Sequence, residues 1–480
     1  MLASAAGATL AGGAVGALAG FSGRLDEPTL WFALAVIAWV AGTGFSLLQA
    51  EPSLAFLALQ AWMALNVLNG AALGLIDGYT GIGPYDFTGG MGGGMKIAAM
   101  TEVGIVVGML SARAVRGAAR RRPGSIEGLP VALLDRCAAG LVVAGCVALL
   151  GYVTISGSGL GAVNVLSGSN VYGDLKREAD GAAIGYLKVM TGLAGVGLML
   201  ATLRLTIDRR RWPRPFIVIV SSALMLVSTG GRSWLLVPAF GACLIWFQAG
   251  RSRWTGRPRR VVLMGGGVAF VVAALVGGLR GQASDKTIDP GAFVVKELRS
   301  GIFPTTAGLA ESIPEREPFI AGRSFTDAGL LIVPRALWPD KPGNALDDVS
   351  EGFMPKDIGA SFGLQGELYA NFGYPGVLVG AGLFAALLEG CWLALVSSSR
   401  LSRILWFAAL IPVLIQVFSR GYLVTMLAGE LGVLLGAAAC ARMLHREAMP
   451  GPPARAGSSA GEAPIGAGSV EAISLGRPRQ

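Results

Sequence analysis

Apolar runs of about 20 residues, the length a helix needs to cross a bilayer, alternate with short polar breaks along almost the whole chain. They fall at roughly 2–21, 30–50, 53–76, 97–112, 131–155, 183–203, 215–228, 234–249, 261–279, 374–397, 404–419 and 422–441. This pattern predicts an all-α polytopic bundle of about twelve transmembrane helices, with 215–228 and 234–249 short enough to make a tight membrane hairpin. Four sections follow from it. Residues 1–279 hold nine spans, 280–361 form a long outside loop, and 362–441 hold a loop-end helix and three last spans. Residues 442–480 are expected to form a disordered tail, which after Met449 is rich in Gly, Pro, Ala and Ser without apolar periodicity.

The long loop has a pattern of its own. Val294, Leu298 and Ile302 recur every four residues with Lys296, Glu297 and Arg299 between them, which predicts an amphipathic helix on the membrane surface. Further on, Leu364, Leu368 and Phe372 share one helical face and Gly363, Glu367 and Asn371 another. Such a helix would rest on lipid by the first face and offer a carboxylate to water by the second. Residues 78–95 are glycine-rich and read as a flexible surface loop. The first 21 residues lack a basic leading segment, so they read as a weak first span rather than a cleaved signal.

Composition supports the membrane assignment. Only 14% of residues are charged and mean hydropathy is +0.60, whereas soluble domains carry about 25% charged residues. Many of the 72 glycines lie inside apolar runs, where small residues let membrane helices approach closely. The net charge of +9 is not gathered into a nucleic-acid surface. It sits mainly in arginine clusters between spans: Arg113 to Arg122, Arg204 to Arg214, and Arg251 to Arg260. With both termini in the cytoplasm, each of these clusters falls inside, as do Arg400, Arg403, Arg442 and Arg446. The five cysteines all lie in apolar segments with no CxxC, so neither zinc nor a disulfide is indicated.

The densest polar chemistry lies at Arg335–Gly376, just before the chain re-enters lipid. There LWPDKPG is followed by GLQGELYANFGYPG, and a GGRS turn precedes both by about a hundred residues. Together with the many-span layout and large outside loop, these motifs resemble the Wzy-like O-antigen polymerases, the oligosaccharide repeat-unit polymerases of bacterial surface glycans. The resemblance covers the GGRS turn and roughly residues 319–380, and GE-x-Y-x-NFG-x-x-G is its most specific part. It implies an inner-membrane glycosyltransferase that needs no metal or other cofactor. Its substrates would be oligosaccharides on undecaprenyl pyrophosphate, its surroundings membrane lipids, and its partners a flippase and a chain-length regulator. A hydroxyl of one lipid-linked repeat would attack the anomeric carbon of another chain, and the lipid pyrophosphate would leave.

That reaction needs cations beside pyrophosphate and a base beside the hydroxyl. Arginine suits the first role through paired hydrogen bonds to phosphate oxygens. Arg232 and Arg335 are the leading candidates, with Arg280, Arg420 and Lys341 as further substrate contacts. Snorkelling to the interface explains helix-end arginines equally well. Glu367 is the candidate general base, against a plain capping or solvated carboxylate. Tyr369 and Asn371 would hold sugar hydroxyls, although Asn371–Gly373 also reads as the turn into the next span. Trp338 reads as an interfacial anchor or a sugar platform. Asp347, Asp348 and Glu351 are acidic enough for a divalent ion, as are Asp26 and Glu27, but loops carry such charges for solvation.

Two other classes share this hydropathy. Glu102, Glu389 and Glu430 fall within spans, as proton sites of a transporter or as polar contacts between helices. A lipid-linked oligosaccharide flippase is therefore the main rival, yet neither the GGRS nor the GELYANFG region is repeated as transporter repeats would require. An O-antigen ligase would use an outside histidine, and the single histidine, His445, follows the last span on the inside.

Overall fold

The computed structural model describes residues 26–49, 52–82, 85–116, 131–156, 187, 189–207, 212–228, 232–250, 302–326, 338, 345–353, 361–421 and 423–447. About 88% of these are helical. In chain order come α1 (Glu27–Leu48), α2 (Leu54–Asp77, with a π turn at Ala64–Leu68), a small hairpin of β1 (Gly81–Ile82) and β2 (Tyr85–Asp86), and α3 (Met91–Arg116). Then follow α4 (Val131–Ser156), α5 (Leu193–Ile207), α6 (Pro213–Ser228) and α7 (Arg232–Gly250). The remainder are α8 (Ile302–Ser312), α9 (Ala345–Glu351), α10 (Gly363–Val396), α11 (Leu401–Arg420), α12 (Leu423–Gly429) and α13 (Leu431–Glu447).

Seven helical segments are long and apolar enough to cross a membrane, and three shorter apolar helices accompany them. All ten fall on runs expected from the sequence. The runs at 2–21 and 261–279, the Val294–Arg299 pattern, the charged stretch at 156–182 and the tail beyond Glu447 lie outside the described residues.

Glycine sets how closely the helices meet. At the α3–α10 seam, a Cβ on Gly104 would stand 2.5 Å from the Leu378 carbonyl oxygen, and one on Gly108 would run into the carbonyl of Gly382. Only hydrogen at these positions lets the two backbones touch. The same seam carries a partly buried ion pair, Arg113 Nε to Glu389 Oε1 at 2.7 Å. A second pair joins α5 to α4, with Arg204 Nε 3.3 Å from Asp135 Oδ1. Thus Arg113 and Arg204, read as part of the inside charge clusters, are packed between helices. Arg214, Arg400, Arg403 and Arg442 are exposed.

The glycine-rich stretch after Gly78 is a packing surface, which corrects its reading as a flexible loop. It forms the β1–β2 hairpin, a 3-10 turn at Thr88–Gly90 and the start of α3. Helix α8 lies across it. Ala307 fills the space of a Cβ at Gly90 and Gly94, Ala310 that at Gly93, and Phe303 packs on Gly70 and Gly74 of α2. Glycine spacing alone does not distinguish a loop from a groove; the partner decides, and α8 is some two hundred residues away in sequence.

Candidate functional site

The segment α10 is too long for one crossing. Its 34 residues would span about 51 Å as a straight helix, against a hydrocarbon core of about 30 Å. It breaks at Gly373, whose φ of 66° and ψ of −163° are non-helical, and Pro375 follows. The break leaves a half-helix, Gly363–Phe372, ahead of the main span. At the break the freed carbonyl of Ala370 accepts from the Ile320 N–H at 2.9 Å.

This half-helix is the GELYANF part of the motif, and its polar side chains turn inward. Glu367 is 1% exposed, Asn371 2% and Tyr369 2%. Leu364 and Leu368 on the other face are buried as well, while Phe372 is exposed. The half-helix therefore does not rest on a lipid surface with Glu367 facing water. It is enclosed, because residues 313–326 fold over it.

Three side chains, Glu367, Ser324 and Asn371, make a closed polar network. Glu367 Oε1 accepts from Ser324 Oγ at 2.9 Å and Oε2 from the Leu423 N–H at 2.9 Å. Asn371 Nδ2 donates to Ser324 Oγ at 2.8 Å and to the Glu367 carbonyl at 2.7 Å. Asn371 Oδ1 accepts from the Gly322 N–H at 2.8 Å. Tyr369 donates its hydroxyl to the Ile313 carbonyl at 2.8 Å and packs edge-on against Phe319. Glu367 thus ties three pieces together: the half-helix, the loop at Ser324 and the first N–H of α12. Ser324 was not singled out from the sequence. It lies in a polar run with no spacing signal, and only the fold over α10 gives it a role.

Among the other expected residues the structure describes Arg420 and Trp338, and Arg232 by its backbone alone. Arg420 ends α11 with its side chain exposed, and its carbonyl accepts from Ser361 Oγ at 3.1 Å. Arg232 opens α7, but its side chain lies outside the described residues, as do Arg280, Arg335 and Lys341 altogether. Trp338 is exposed. Asp348 and Glu351 face outward on α9, and no group of acids, histidines or cysteines able to hold a metal occurs among the described residues. Asp26 caps α1 by accepting from the Thr29 N–H at 3.0 Å. Hydrogen bonds from Thr29 hold its carboxyl below the usual carboxylate range. Glu27 accepts from Trp31 Nε1 at 3.2 Å.

Within the bundle, Glu389 pairs with Arg113 and Glu102 accepts from the Gln60 amide at 3.1 Å, so both join helices. Lys96, unremarked in the sequence, sits 4.3 Å from the Tyr374 ring centre and 5.3 Å from that of Trp31. A cleft of about 400 Å³ opens between the hairpin, α8 and α9. Its lining includes Tyr85, Phe87 and Phe353 beside Asp86, Glu311 and Arg316.

The fold defines a multi-pass, all-α membrane protein with an inward-turned polar half-helix covered by residues 313–326. No protein family, curated protein or solved structure matches the chain.

Proposed function

We propose that this protein is a repeat-unit polymerase of a bacterial surface or secreted polysaccharide, acting on undecaprenyl-pyrophosphate-linked oligosaccharides at the outer face of the cytoplasmic membrane. The observation that carries this reading is the enclosure of the GELYANF half-helix, with Glu367 and Asn371 of the motif tied to Ser324 of the outer loop. The outer cleft lends support. Aromatic rings beside carboxylates and a guanidinium suit a polyhydroxylated ligand, and about 400 Å³ lies in the range of small-molecule sites.

In this scheme the chain has twelve membrane helices with both ends cytoplasmic. The acceptor hydroxyl attacks the anomeric carbon, and its proton passes through the Ser324 hydroxyl to Glu367. The bond to the lipid pyrophosphate breaks, and Arg232 and Arg335, with Arg280, Arg420 and Lys341, stabilise the departing charge. Tyr369 and Asn371 act through position, since both are engaged with the loop backbone.

Glu367→Gln decides between a catalytic and a structural carboxylate. The amide keeps the size and can still bond both Ser324 and the Leu423 N–H, so the fold should persist. As a base, Glu367 contributes about 10²–10⁴-fold, so long glycan should collapse to single lipid-linked repeats on a gel of surface polysaccharide. A normal ladder from Glu367→Gln combined with Arg232→Ala would end the assignment. The competing reading, a lipid-linked oligosaccharide flippase, is favoured by the intramembrane pair Gln60–Glu102; repeats stranded on the cytoplasmic leaflet would support it instead.

A further inference from the structure

The start of the α10 half-helix is buried, yet it lacks the groups that normally satisfy a helix end. The first N–H groups of any helix have no carbonyl within the helix to donate to, so a buried start calls for a capping acceptor. Here Phe362 stands at the cap position and supplies no side-chain acceptor. Gln365, in the first turn, is 0% exposed, and neither its amide nitrogen nor its amide oxygen has a hydrogen-bond partner. A buried amide left in this state is destabilising.

The amide has a definite position. It folds back over Gly363, with its oxygen nearest to where a Cβ of that residue would stand and its nitrogen 2.7 Å from the same point. Gly363 has φ of 62° and Gly421, at the end of α11, has φ of 67°. A Cβ on Gly421 would lie 2.6 Å from the Gly363 carbonyl oxygen. Two left-handed glycines therefore bring the α11 terminus against the half-helix start, with the unpartnered amide beside them. Ser361 Oγ clasps the Arg420 carbonyl at the rim, and the Arg420 side chain is exposed there.

We propose that this turn, Gly363–Gln365 with Gly421 as its wall, is a phosphate-binding site. The half-helix points its positive end at the site, its free N–H groups serve as donors, and the Gln365 amide adds another. Substrate-facing ends of broken membrane helices bind anionic groups by the same physics. The occupant we assign is the pyrophosphate of the lipid carrier. That identity rests on the polymerase reading, whereas the phosphate chemistry stands on the geometry alone.

The test uses the full chain in phosphatidylcholine nanodiscs, with inorganic pyrophosphate as probe and thermal unfolding as readout. Pyrophosphate should raise the Tm of the wild type saturably. In Gln365→Leu its affinity should fall about tenfold or more, the loss expected for a hydrogen bond to a charged group. The ligand-free Leu variant should be no less stable than wild type, since an unpartnered buried amide has been removed. Gln365→Met makes the same comparison should the Leu variant fold poorly. Equal pyrophosphate protection of wild type and variants, or none in the wild type, would overturn the site.

A parallel arm replaces phosphatidylcholine by phosphatidylglycerol. Stabilisation by that lipid which depends on Gln365, with no further effect of pyrophosphate, would keep the phosphate chemistry but overturn the lipid-carrier assignment. The polymerase reading fails separately, on a normal glycan ladder from Glu367→Gln with Arg232→Ala, whatever the nanodiscs show.

Discussion

The buried charges of Glu102, Arg204, Glu367 and Glu389 have assigned partners, and those partnerships set the cost of removing them. Arg113→Ala would leave the Glu389 carboxylate, whose side chain is fully buried, without its counter-ion. Breaking such a pair from one side costs about 3–5 kcal/mol. The single variant should therefore lose much of its folded yield in detergent, while Arg113→Met combined with Glu389→Leu should recover most of it by thermal unfolding. Glu367→Ala differs in kind from the Gln variant. It removes the acceptor of both Ser324 Oγ and the Leu423 N–H, at about 1–3 kcal/mol for each group left buried and unpaired. Loss of polymer in the Ala variant alone would thus be ambiguous, and a lowered Tm in Ala with a near-normal Tm in Gln is the expected pattern. At this scale Glu367, Tyr369 and Asn371 were legible as a polar set on one helix. Their partners Ser324, Gly322 and Ile313 were not, because hydrogen bonds between residues more than forty positions apart leave no spacing in the sequence.

Elements meet through glycine in two different ways. Gly104, Gly108 and Gly382 join two long spans, so Gly108→Leu should separate α3 from α10 and sharply lower the yield of folded protein in size-exclusion chromatography. Gly90, Gly93 and Gly94 instead seat the short helix α8. Replacing Gly94 by Leu should release α8 while the spans remain, so limited proteolysis should cut near residues 302–312 in the variant and spare the wild type. The spans were readable because a membrane helix must satisfy its own backbone and present apolar residues over a fixed length. The seat of α8 was not, since small residues are equally compatible with a flexible loop and a tight groove. The break at Gly373 sits between these cases: Gly373 and Pro375 mark a turn in the sequence, but whether the residues before it continue a span, lie on lipid or fold back into the protein depends on what covers them.

For the whole molecule, orientation is the property that most directly conditions function. The glycan reading requires α9 and the α10 half-helix on the outer face and the α10–α11 turn on the inner face. In a cysteine-free background, Asp348→Cys should react with a membrane-impermeant maleimide in intact cells, and Ser399→Cys should react only after permeabilisation. The reverse labelling would place the proposed chemistry in the wrong compartment. The sequence by itself determined that this is a helical membrane bundle and where ten of its described helices run, because hydropathy and helix length are local properties that a bilayer enforces one segment at a time. Only the tertiary structure decided that Arg113 and Arg204 are packed in ion pairs, that the glycine-rich stretch holds a helix, and that Glu367 faces the protein interior. Each of those outcomes turns on which distant segment supplies the covering atoms, and burial is a relation between segments that no single stretch of sequence contains.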